Sequence, residues 1–373
     1  TLGQIFGGSG QEDESCQIYP DILPHPLRLA LLTGSFRPSE KDHLQKLLSQ
    51  GEIDIVVGTH ALIQKGVEFQ RLGLAVVDEQ HRFGVLQRSA LRQKGYNPHI
   101  LVMTATPIPR TLALTLYGDL DLSVLDELPP GRLAVKTHFL MPEQRDRTYA
   151  FIREQVALGR QAFVICPLIE ESEALEAKAA VAEYQRLSRE VFPDLKLGLL
   201  HGRLPANEKD ETMRLFRSGE LHILVSTSVV EVGIDVPNAT VMLVEGADRF
   251  GLSQLHQFRG RVGRGEEQSY CLLLAQSPSP EARERLEAIE RLQDGFALAE
   301  EDLRLRGPGE FFGTRQSGLP DLRMARLSDT PLLEIARTEA IRLFEADPDF
   351  SQPRHEPLAW ELARMWQGQG EWS

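Results

Sequence analysis

Short apolar runs alternate with amphipathic stretches through most of this sequence. Four segments in the first third each contain a continuous hydrophobic run: RLALLTG, DIVVGTH, LGLAVVDE and HILVMTATP. Such runs are typical of strands that are buried on both faces of a parallel sheet. Stretches with helical spacing, such as SEKDHLQKLLSQG, lie between them. This alternation predicts a doubly wound α/β unit over residues 28–126.

The same pattern resumes after a Pro/Gly break, ELPPGR at residues 127–132, which we expect to be a linker. Six more strand-like runs within residues 133–276 predict a second α/β unit. Strand patterns stop there, so residues 277–373 are expected to be helical around a glycine-rich loop, RGPGEFFGTRQSG. Residues 1–27 show no clear period and are expected to be irregular. The predicted fold class is α/β, with two parallel-sheet units followed by a small helical region.

Composition narrows the class of protein only a little. The net charge is -13, which argues against a surface coated with non-specific nucleic-acid contacts but leaves room for a local basic groove. Three cysteines without a CxxC pair support neither a disulfide framework nor a zinc site. Because no apolar run is long enough to cross a bilayer, we expect a cytoplasmic protein with no membrane partner.

The segment QFRGRVGR, which starts at Gln257, carries the most specific chemistry in the chain. Arg261 and Arg264 stand three apart, and this spacing predicts that both guanidiniums share one helix face. The interleaved Gly260 and Gly263 let that face approach another surface closely. Two closely held guanidiniums suit a phosphate group, and an arginine finger in particular. The alternative is a solvated basic turn.

An acidic pair follows the apolar run LAVV. Asp78 and Glu79 come directly after this predicted strand, and the carboxyl ends of strands form the ligand edge of an open α/β sheet. An aspartate there can hold Mg²⁺ through its water shell, and a neighbouring glutamate can polarise an attacking water. The pair alone also fits a solvated acidic turn; the QH and TATP motifs that follow favour the catalytic interpretation.

Hydroxyl-bearing segments end several other predicted strands. In MTATPIPRT, Thr104 and Thr106 lie on a turn fixed by prolines, which suits coupling between a phosphate site and a neighbouring surface. In the second unit, His201, Ser226 and Thr227 follow strands, where side chains and exposed amides can hold a nucleic-acid backbone. Local capping is the alternative for Ser226 and Thr227.

Taken in order, these motifs resemble those of superfamily 2 helicases. DEQH is similar to the Walker B box and TATP to the coupling motif, while STSVVEVGIDVPNA and QFRGRVGR resemble the last two helicase motifs. FALAEEDLRLRGPGEFFGTRQSG looks like the translocation motif shared by RecG and the transcription-repair coupling factor. DEQHRFGV, GTHALIQ and TATPIPRTLALTLYGDLDLSVLDELPPGR resemble the RecG family in particular, and the likeness covers residues 28 to about 366.

The resemblance implies two RecA-like lobes that use ATP and Mg²⁺ and bind branched DNA. The implied catalytic residues are Asp78, which also serves the metal, Glu79, Gln257, Arg261 and Arg264. The implied nucleotide contacts are Gln80, His81, Gly233 and Asp235. The implied residues for DNA binding or coupling are Thr104, Thr106, His201, Ser226, Thr227 and, in a translocation hook, Arg304, Arg306, Arg315 and Gln316. The implied function is remodelling of stalled forks and Holliday junctions in recombination and repair. A single-stranded-DNA-binding protein is a further partner that the resemblance allows.

One motif of the family is missing. No GxxxxGK[ST] loop occurs, so the sequence lacks the phosphate cradle with its lysine. The family's amino-terminal wedge domain is absent too. We therefore expect an incomplete first lobe, in a carboxy-terminal fragment whose full activity would need the missing amino-terminal half. Two alternatives stay open: a catalytically inactive nucleic-acid-binding fragment, and the transcription-repair coupling translocase. An RNA helicase fits the translocation motif less well.

Overall fold

The computed structural model divides the chain into two compact units, Thr1–Ala105 and Thr106–Ser373. It describes residues 5–6, 11–13, 16–20, 22–34, 36–64, 66–79, 91, 94–95, 98–105, 121–127, 129, 131–166, 173–227, 235–306 and 330–367. The division falls before the predicted linker at residues 127–132, and residues 106–120 lie outside the described part of the chain. The linker boundary therefore stays a prediction.

The first unit contains two small sheets. Its strands are β1 (Gln11–Asp13), β2 (Cys16–Tyr19), β3 (Leu27–Leu32), β4 (Ile55–Gly58), β5 (Leu74–Val77) and β6 (His99–Val102). The first four form one sheet in chain order, in which β2 is antiparallel to β1 and β3, and β3 is parallel to β4. β5 and β6 form a separate parallel pair. The four predicted strands are present, but the described residues divide them between two sheets.

Residues 1–27 are not wholly irregular, which corrects the expectation from the sequence. Cys16 and Tyr19 of β2 are buried while Gln17 is exposed, and the whole strand pairs with β3. A strand of four residues has too few alternating positions to be recognised as a period. Its stability comes from pairing and packing against β3, which the local sequence does not show.

A helix covers one face of the larger sheet. α1 (Pro38–Gln50) buries Leu44 and Leu48 against β3, and these side chains form the core of the unit. The opposite face is open, because Leu31 and Val57, which pair across β3 and β4, are 51% and 42% exposed. In the described part of the first unit, α1 thus covers one face of this sheet, and the other face exposes apolar side chains.

The second unit is built on one six-stranded sheet, in which all pairings are parallel. Its strands are β7 (Lys136–Leu140), β8 (Gln161–Ile165), β9 (Leu197–Leu200), β10 (Ile223–Ser226), β11 (Ala239–Glu245) and β12 (Tyr270–Leu274). Across the sheet the order is β7-β12-β11-β8-β10-β9. Every residue of β8 and β11 is buried, as the continuous apolar runs predict.

Helices cover both faces of this sheet. On one face lie α2 (Arg145–Ala157) and α3 (Glu173–Arg186), which a π-helical turn extends over Leu187–Val191. On the other lie α4 (Ala206–Arg217), α5 (Leu252–Arg259), α6 (Pro280–Arg291) and α7 (Gly295–Arg306). Ile152 of α2 and Phe258 of α5 are fully buried, so apolar helix faces close the two cores.

Two further helices, α8 (Thr330–Ala346) and α9 (Glu356–Gln367), are joined by a turn that Asp347 fixes. Its buried carboxylate accepts hydrogen bonds from the amide and the hydroxyl of Ser351 and lies 2.7 Å from His355 Nδ1. The contact with His355, followed by these other donors, lowers the pKa of Asp347. None of the helices in the described part of the chain is long and apolar enough to span a bilayer.

Candidate functional site

The two predicted arginine fingers lie in a turn and not on a helix. α5 ends at Arg259, and residues 260–264, called the arginine loop from here on, leave the helix in a turn. Gly263 has a φ of +76°, a left-handed conformation that glycine adopts without strain and that does not continue an α-helix. The prediction that Arg261 and Arg264 share one helix face is therefore wrong, because the helix stops before either residue.

Arg264 reaches a second predicted site residue. Its Nη1 lies 3.1 Å from Asp235 Oδ1, and its Nε donates a long hydrogen bond of 3.4 Å to the carbonyl oxygen of Gly260. The fold thus brings together residues from two motifs that are distant in sequence. Because both side chains are partly exposed, the ion pair is worth at most about 1 kcal/mol. Arg264 can therefore exchange this carboxylate for another anion at little cost.

A third arginine of the same segment, Arg259, is buried, and the sequence reasoning missed it. Its guanidinium donates to the carbonyl oxygens of Ile289, Leu292 and Gln293 over 2.7 to 3.0 Å. The end of a helix leaves such carbonyls without helical partners, so Arg259 caps α6 and ties α5 to it. The available signal was its helical spacing from the buried Leu252, which places both on one side of α5.

His256 supports the same contact in its neutral form. Burial chiefly, and then the Arg259 guanidinium, lower the pKa of His256 to about 4. The neutral ring can accept a hydrogen bond at Nδ1, which lies 2.9 Å from Nη2 of Arg259. Burial also lowers the pKa of Arg259, but arginine starts so high that the group stays charged at neutral pH. Carbonyl dipoles and a neutral imidazole therefore hold this buried cation.

Three predicted nucleic-acid residues lie at the carboxyl edge of the six-stranded sheet, and all are buried. His201 follows β9, Ser226 ends β10, and Thr227 comes next. The Ser226 hydroxyl donates to the carbonyl oxygen of Thr227, a local bond of the kind that the capping alternative describes. His201 Nδ1 has no hydrogen-bond partner among the described residues. Desolvation, followed by the charges of Lys209 and Arg203, lowers the pKa of His201.

The acidic pair follows β5 in the first unit. The amide of Glu79 donates to Asp78 Oδ1 at 2.9 Å, and Glu79 has a φ of +52°. A positive φ at such a residue is uncommon and costs on the order of 1–3 kcal/mol, and strain of this kind concentrates at functional sites. Val77 pairs with Val102, so Thr104, two residues further along, lies at the same end of the strand pair. Asp78, Glu79 and Thr104 are therefore neighbours at one sheet edge.

Arg304 pairs with carboxylates on two helices. It lies in α7, and its guanidinium is 2.7 Å from Glu284 of α6 and 3.1 Å from Glu301 of its own helix. The hydrogen bond to Glu301 is the main reason that the pKa of Arg304 is raised and that of Glu301 lowered. Arg304 therefore braces α7 against α6, the helix that Arg259 caps.

Two of the remaining predicted site residues lie on helices. Gln257 is half-buried in α5, and Arg306 ends α7. Six others lie outside the described residues: Gln80, His81, Thr106, Gly233, Arg315 and Gln316. The roles given to all of these residues stay predictions.

Each unit contains side chains of a kind that an ATP site uses, and one part of such a site is missing from the sequence. Carboxylates suited to Mg²⁺ and guanidiniums suited to a terminal phosphate are present, whereas the sequence has no GxxxxGK[ST] loop to hold the remaining phosphates. Within the described part of the chain, no three His, Cys, Asp or Glu side chains cluster as metal ligands. A magnesium ion would therefore take few ligands from these residues, as Mg²⁺ often does when phosphate and water complete its shell.

Family models match three stretches of the chain. Residues 21–115 match the DEAD/DEAH box helicase model, and residues 144–266 match the helicase conserved C-terminal domain. Residues 292–373 match the model for ATP-dependent DNA helicase RecG, domain 3, C-terminal. The three matches follow the order in which the motifs occur in the sequence.

Curated relatives agree over most of the chain. The ATP-dependent DNA helicase RecG of Synechocystis sp. is 56% identical over 324 residues, which are 87% of this chain and 39% of that protein. The RecG of Bacillus subtilis is 50% identical over 92% of this chain and 50% of that protein. The chain belongs to the RecG family. It spans half or less of the length of these two RecG proteins.

A solved RecG structure has the same fold. The structure of RecG bound to a three-way DNA junction matches with a TM-score of 0.62 and 49% identity, over 83% of this chain and 40% of that one. The helicase MrfA bound to DNA matches with a TM-score of 0.52, but at 18% identity this likeness shows the fold alone. The predicted fold class, α/β with RecA-like parallel sheets, is confirmed.

Proposed function

We propose that this chain is the ATP-hydrolysing motor of a RecG-type helicase that remodels branched DNA, such as stalled forks and Holliday junctions, in recombination and repair. The observation that carries the proposal is the arginine loop, in which the charged partner of Arg264 among the described residues is the exposed carboxylate of Asp235. A guanidinium in such a position can exchange its carboxylate partner for a phosphate group. The relatives and the DNA-bound RecG structure support the choice of substrate by their names.

In this proposal, Arg261 and Arg264 contact the terminal phosphate of ATP and stabilise the charge that develops there during hydrolysis. Gln257, on the preceding helix turn, orients the same group. Arg264 would leave Asp235 for the phosphate, and the small free energy of that exposed ion pair makes the exchange inexpensive. An arginine finger of this kind is worth about 10³–10⁵ in rate.

The acidic pair supplies the complementary chemistry. Asp78 would hold Mg²⁺ through the water shell of the ion. Glu79 orients the attacking water and takes its proton. Gln80, His81 and Gly233 contact the nucleotide in this assignment. Bound Mg²⁺ would neutralise charge on the phosphate oxygens. The left-handed backbone conformation of Glu79 sets the direction in which its side chain leaves the main chain.

Coupling to DNA would pass through two routes. Thr104 follows β6 at the same sheet edge as the acidic pair. In this proposal Thr104 and Thr106 connect hydrolysis to the DNA surface, to which His201, Ser226 and Thr227 also contribute. The second route is the helix pair α6–α7, which Arg259 ties to α5 and Arg304 braces. We propose that this pair transmits movement of the arginine loop to a hook that includes Arg306, Arg315 and Gln316.

The proposed partners follow from the same assignment. They are branched DNA, a single-stranded-DNA-binding protein, and a missing amino-terminal region; the matched RecG proteins are longer than the part aligned with this chain. That region would supply the phosphate-holding loop, which this sequence does not contain. The proposed location is the cytoplasm.

The proposal is tested in a fusion of this chain to the part of Bacillus subtilis RecG that the chain does not cover, called the RecG fusion below. We expect it to hydrolyse ATP when DNA is added and to unwind a labelled four-way junction. Glu79→Gln should lower ATP turnover by about 10²–10⁴, as for loss of a general base. Glu52→Gln, which neutralises an exposed partner of Arg28 in the same unit, should change neither activity. Turnover that does not depend on Glu79 would contradict the assignment.

A second candidate function is DNA binding without catalysis, and the missing GxxxxGK[ST] loop favours it for the chain by itself. We expect the chain alone to release phosphate from ATP far more slowly than the RecG fusion. Glu79-dependent turnover by the chain alone at the rate of the fusion would overturn this expectation. The match of residues 292–373 to RecG domain 3 disfavours the transcription-repair coupling translocase, which a binding assay with RNA polymerase would detect.

A further inference from the structure

A side chain outside the proposed catalytic set grips the arginine loop. Nε of Arg132 donates a hydrogen bond of 2.7 Å to the carbonyl oxygen of Gly263, the residue immediately before Arg264. Arg132 lies ahead of β7, far from the arginine loop in sequence, and the contact is partly buried. A half-buried bond from a charged donor is one of the stronger kinds of hydrogen bond.

A tight turn fixes the starting point of the Arg132 side chain. The amide of Arg132 donates to the carbonyl oxygen of Pro129 at 3.2 Å, and Gly131 between them has a φ of +81°. This is a four-residue turn with glycine at the position that needs a positive φ. Such a turn has few alternative conformations, so the guanidinium of Arg132 extends from a well-defined backbone.

The arginine loop is confined on two further sides. A Cβ added at Gly263 would lie 2.7 Å from Cγ2 of Val135, three residues after Arg132. A Cβ added at Gly265 would lie 2.7 Å from the carbonyl oxygen of Pro237, in the segment that carries Asp235. The backbone around Arg264 therefore packs directly against the Arg132–Val135 side and the Asp235 side, with no space for a methyl group.

These contacts divide into one that catalysis must break and one that it can keep. If Arg264 moves from Asp235 to a phosphate, the ion pair is lost, whereas the bond from Arg132 to the Gly263 carbonyl does not involve the finger itself. We propose that Arg132 is a positioning residue for the arginine fingers. It holds the backbone beside Arg264 in the place from which the guanidinium reaches the terminal phosphate. The inference rests on the proposed function, because Arg132 can affect catalysis in this way only if Arg264 contacts the terminal phosphate.

The first test needs no nucleotide and uses the 373-residue chain. The amides of Arg261 and Val262 donate to carbonyl oxygens of α5, so their hydrogen exchange reports opening of the arginine loop. In Arg132→Ala we expect these two amides to exchange roughly three- to tenfold faster, the effect of losing one hydrogen bond. Arg132→Lys, which keeps a charged donor, should restore most of the protection.

A matched variant controls for loss of any arginine near the loop. Arg160→Ala removes an ion pair of 2.6 Å with Glu267, beyond the arginine loop, and should leave exchange in the loop unchanged. Unchanged exchange in Arg132→Ala overturns the inference. Equal acceleration across residues 133–276 also overturns it, because Arg132 would then stabilise the whole unit and not the loop.

A kinetic readout separates positioning from a purely structural role. In the RecG fusion, Arg132→Ala should lower kcat for DNA-stimulated ATP hydrolysis about 10- to 100-fold and leave the KM for ATP within about threefold, because misplaced fingers lose contact with the transition state. Arg132→Lys should recover most of kcat. A loss that appears in KM alone would overturn the inference. If the loop loosens in Arg132→Ala while Arg264→Ala leaves turnover unchanged, the loop contact is real and the proposed function fails.

Discussion

The two units of this chain contain the same kind of strand in very different surroundings. In the second unit, every residue of β8 and β11 is buried, and helices close both faces of the sheet. In the first unit, α1 closes one face only, and the strand pair β5–β6 exposes Leu74, Val76 and Leu101 to 59%, 53% and 51%. Among the described residues, both sheets of the first unit therefore expose apolar side chains.

The difference shows what a continuous apolar run does and does not establish. Runs such as LAVV and FVI look alike in sequence, and both indicate strands that are stable when covered on both sides. The run cannot show whether the covering elements are in the same chain. Exposed apolar faces of this kind mark an interaction site or a source of instability. Asp78 and Glu79, to which we assign the catalytic carboxylates, lie in the unit whose described strands have exposed apolar faces.

The largest expected effect comes from separating the two regions. Residues 133–276 hold the complete six-stranded sheet and should fold alone, with a cooperative thermal transition and dispersed amide resonances. Residues 1–126 alone should be insoluble or loosely packed, because open strand edges and apolar faces stay exposed. Both pieces would be compared in one buffer by calorimetry and NMR. A cooperative transition from residues 1–126 would break the comparison.

A matched pair of substitutions measures the same contrast in the intact chain. Leu243→Ala in β11 removes a fully buried side chain and should lower the free energy of unfolding by about 2–5 kcal/mol. Leu31→Ala in β3 removes a side chain that is 51% exposed and should cost less than about 1 kcal/mol. Urea unfolding, followed by a probe in each unit, gives both values. Equal losses would mean that Leu31 is covered in solution, by a second copy or by residues outside those described.

A smaller effect is the pH dependence of the free energy of unfolding, which we expect to differ between the units because only the second contains the buried His256. Burial lowers the pKa of His256 in the second unit to about 4, below the usual value of about 6.5 that applies to the unfolded chain. The unfolded state then binds the proton more tightly, so stability is complete above about pH 6.5 and is lost progressively as the pH falls toward 4, by up to about 3 kcal/mol.

This pH dependence should be confined to the second unit. The described histidines of the first unit, His25, His43, His60 and His99, are all exposed. His256→Gln keeps an acceptor for Arg259 and should remove most of the slope between pH 6.5 and 4, measured by urea unfolding at several pH values. An unchanged slope would mean that another group titrates.

Local sequence patterns predict much of the architecture, but they predict the positions of the site residues less completely. Continuous apolar runs predict strands in both units. The residues of β2, CQIY, contain no such run, so this strand is visible only through its pairing with β3. The arginine motif predicts phosphate chemistry, but helical spacing misplaces Arg261 and Arg264, since the helix ends before them at Arg259. The ion pair of Arg264 with Asp235 joins distant motifs, so only the fold shows it.

Side chains that bind backbone carbonyls are harder to predict than those in motifs with known chemistry. Arg259 and Arg132 both donate to carbonyl oxygens of remote segments. A carbonyl acceptor is present at every residue and leaves no mark in the sequence. For Arg259 the burial of its helix face was a partial signal, and for Arg132 the turn ELPPGR was read only as a linker.

The central claim is that Arg264 acts on charge that develops during ATP hydrolysis. In the RecG fusion, Arg264→Ala should lower kcat for DNA-stimulated phosphate release by about 10³-fold or more and leave the KM for ATP within a few-fold. Arg214→Ala, which removes a surface ion pair of 2.7 Å with Glu211 in the same unit, should change neither constant. Turnover of Arg264→Ala within a few-fold of the unsubstituted fusion would contradict the account.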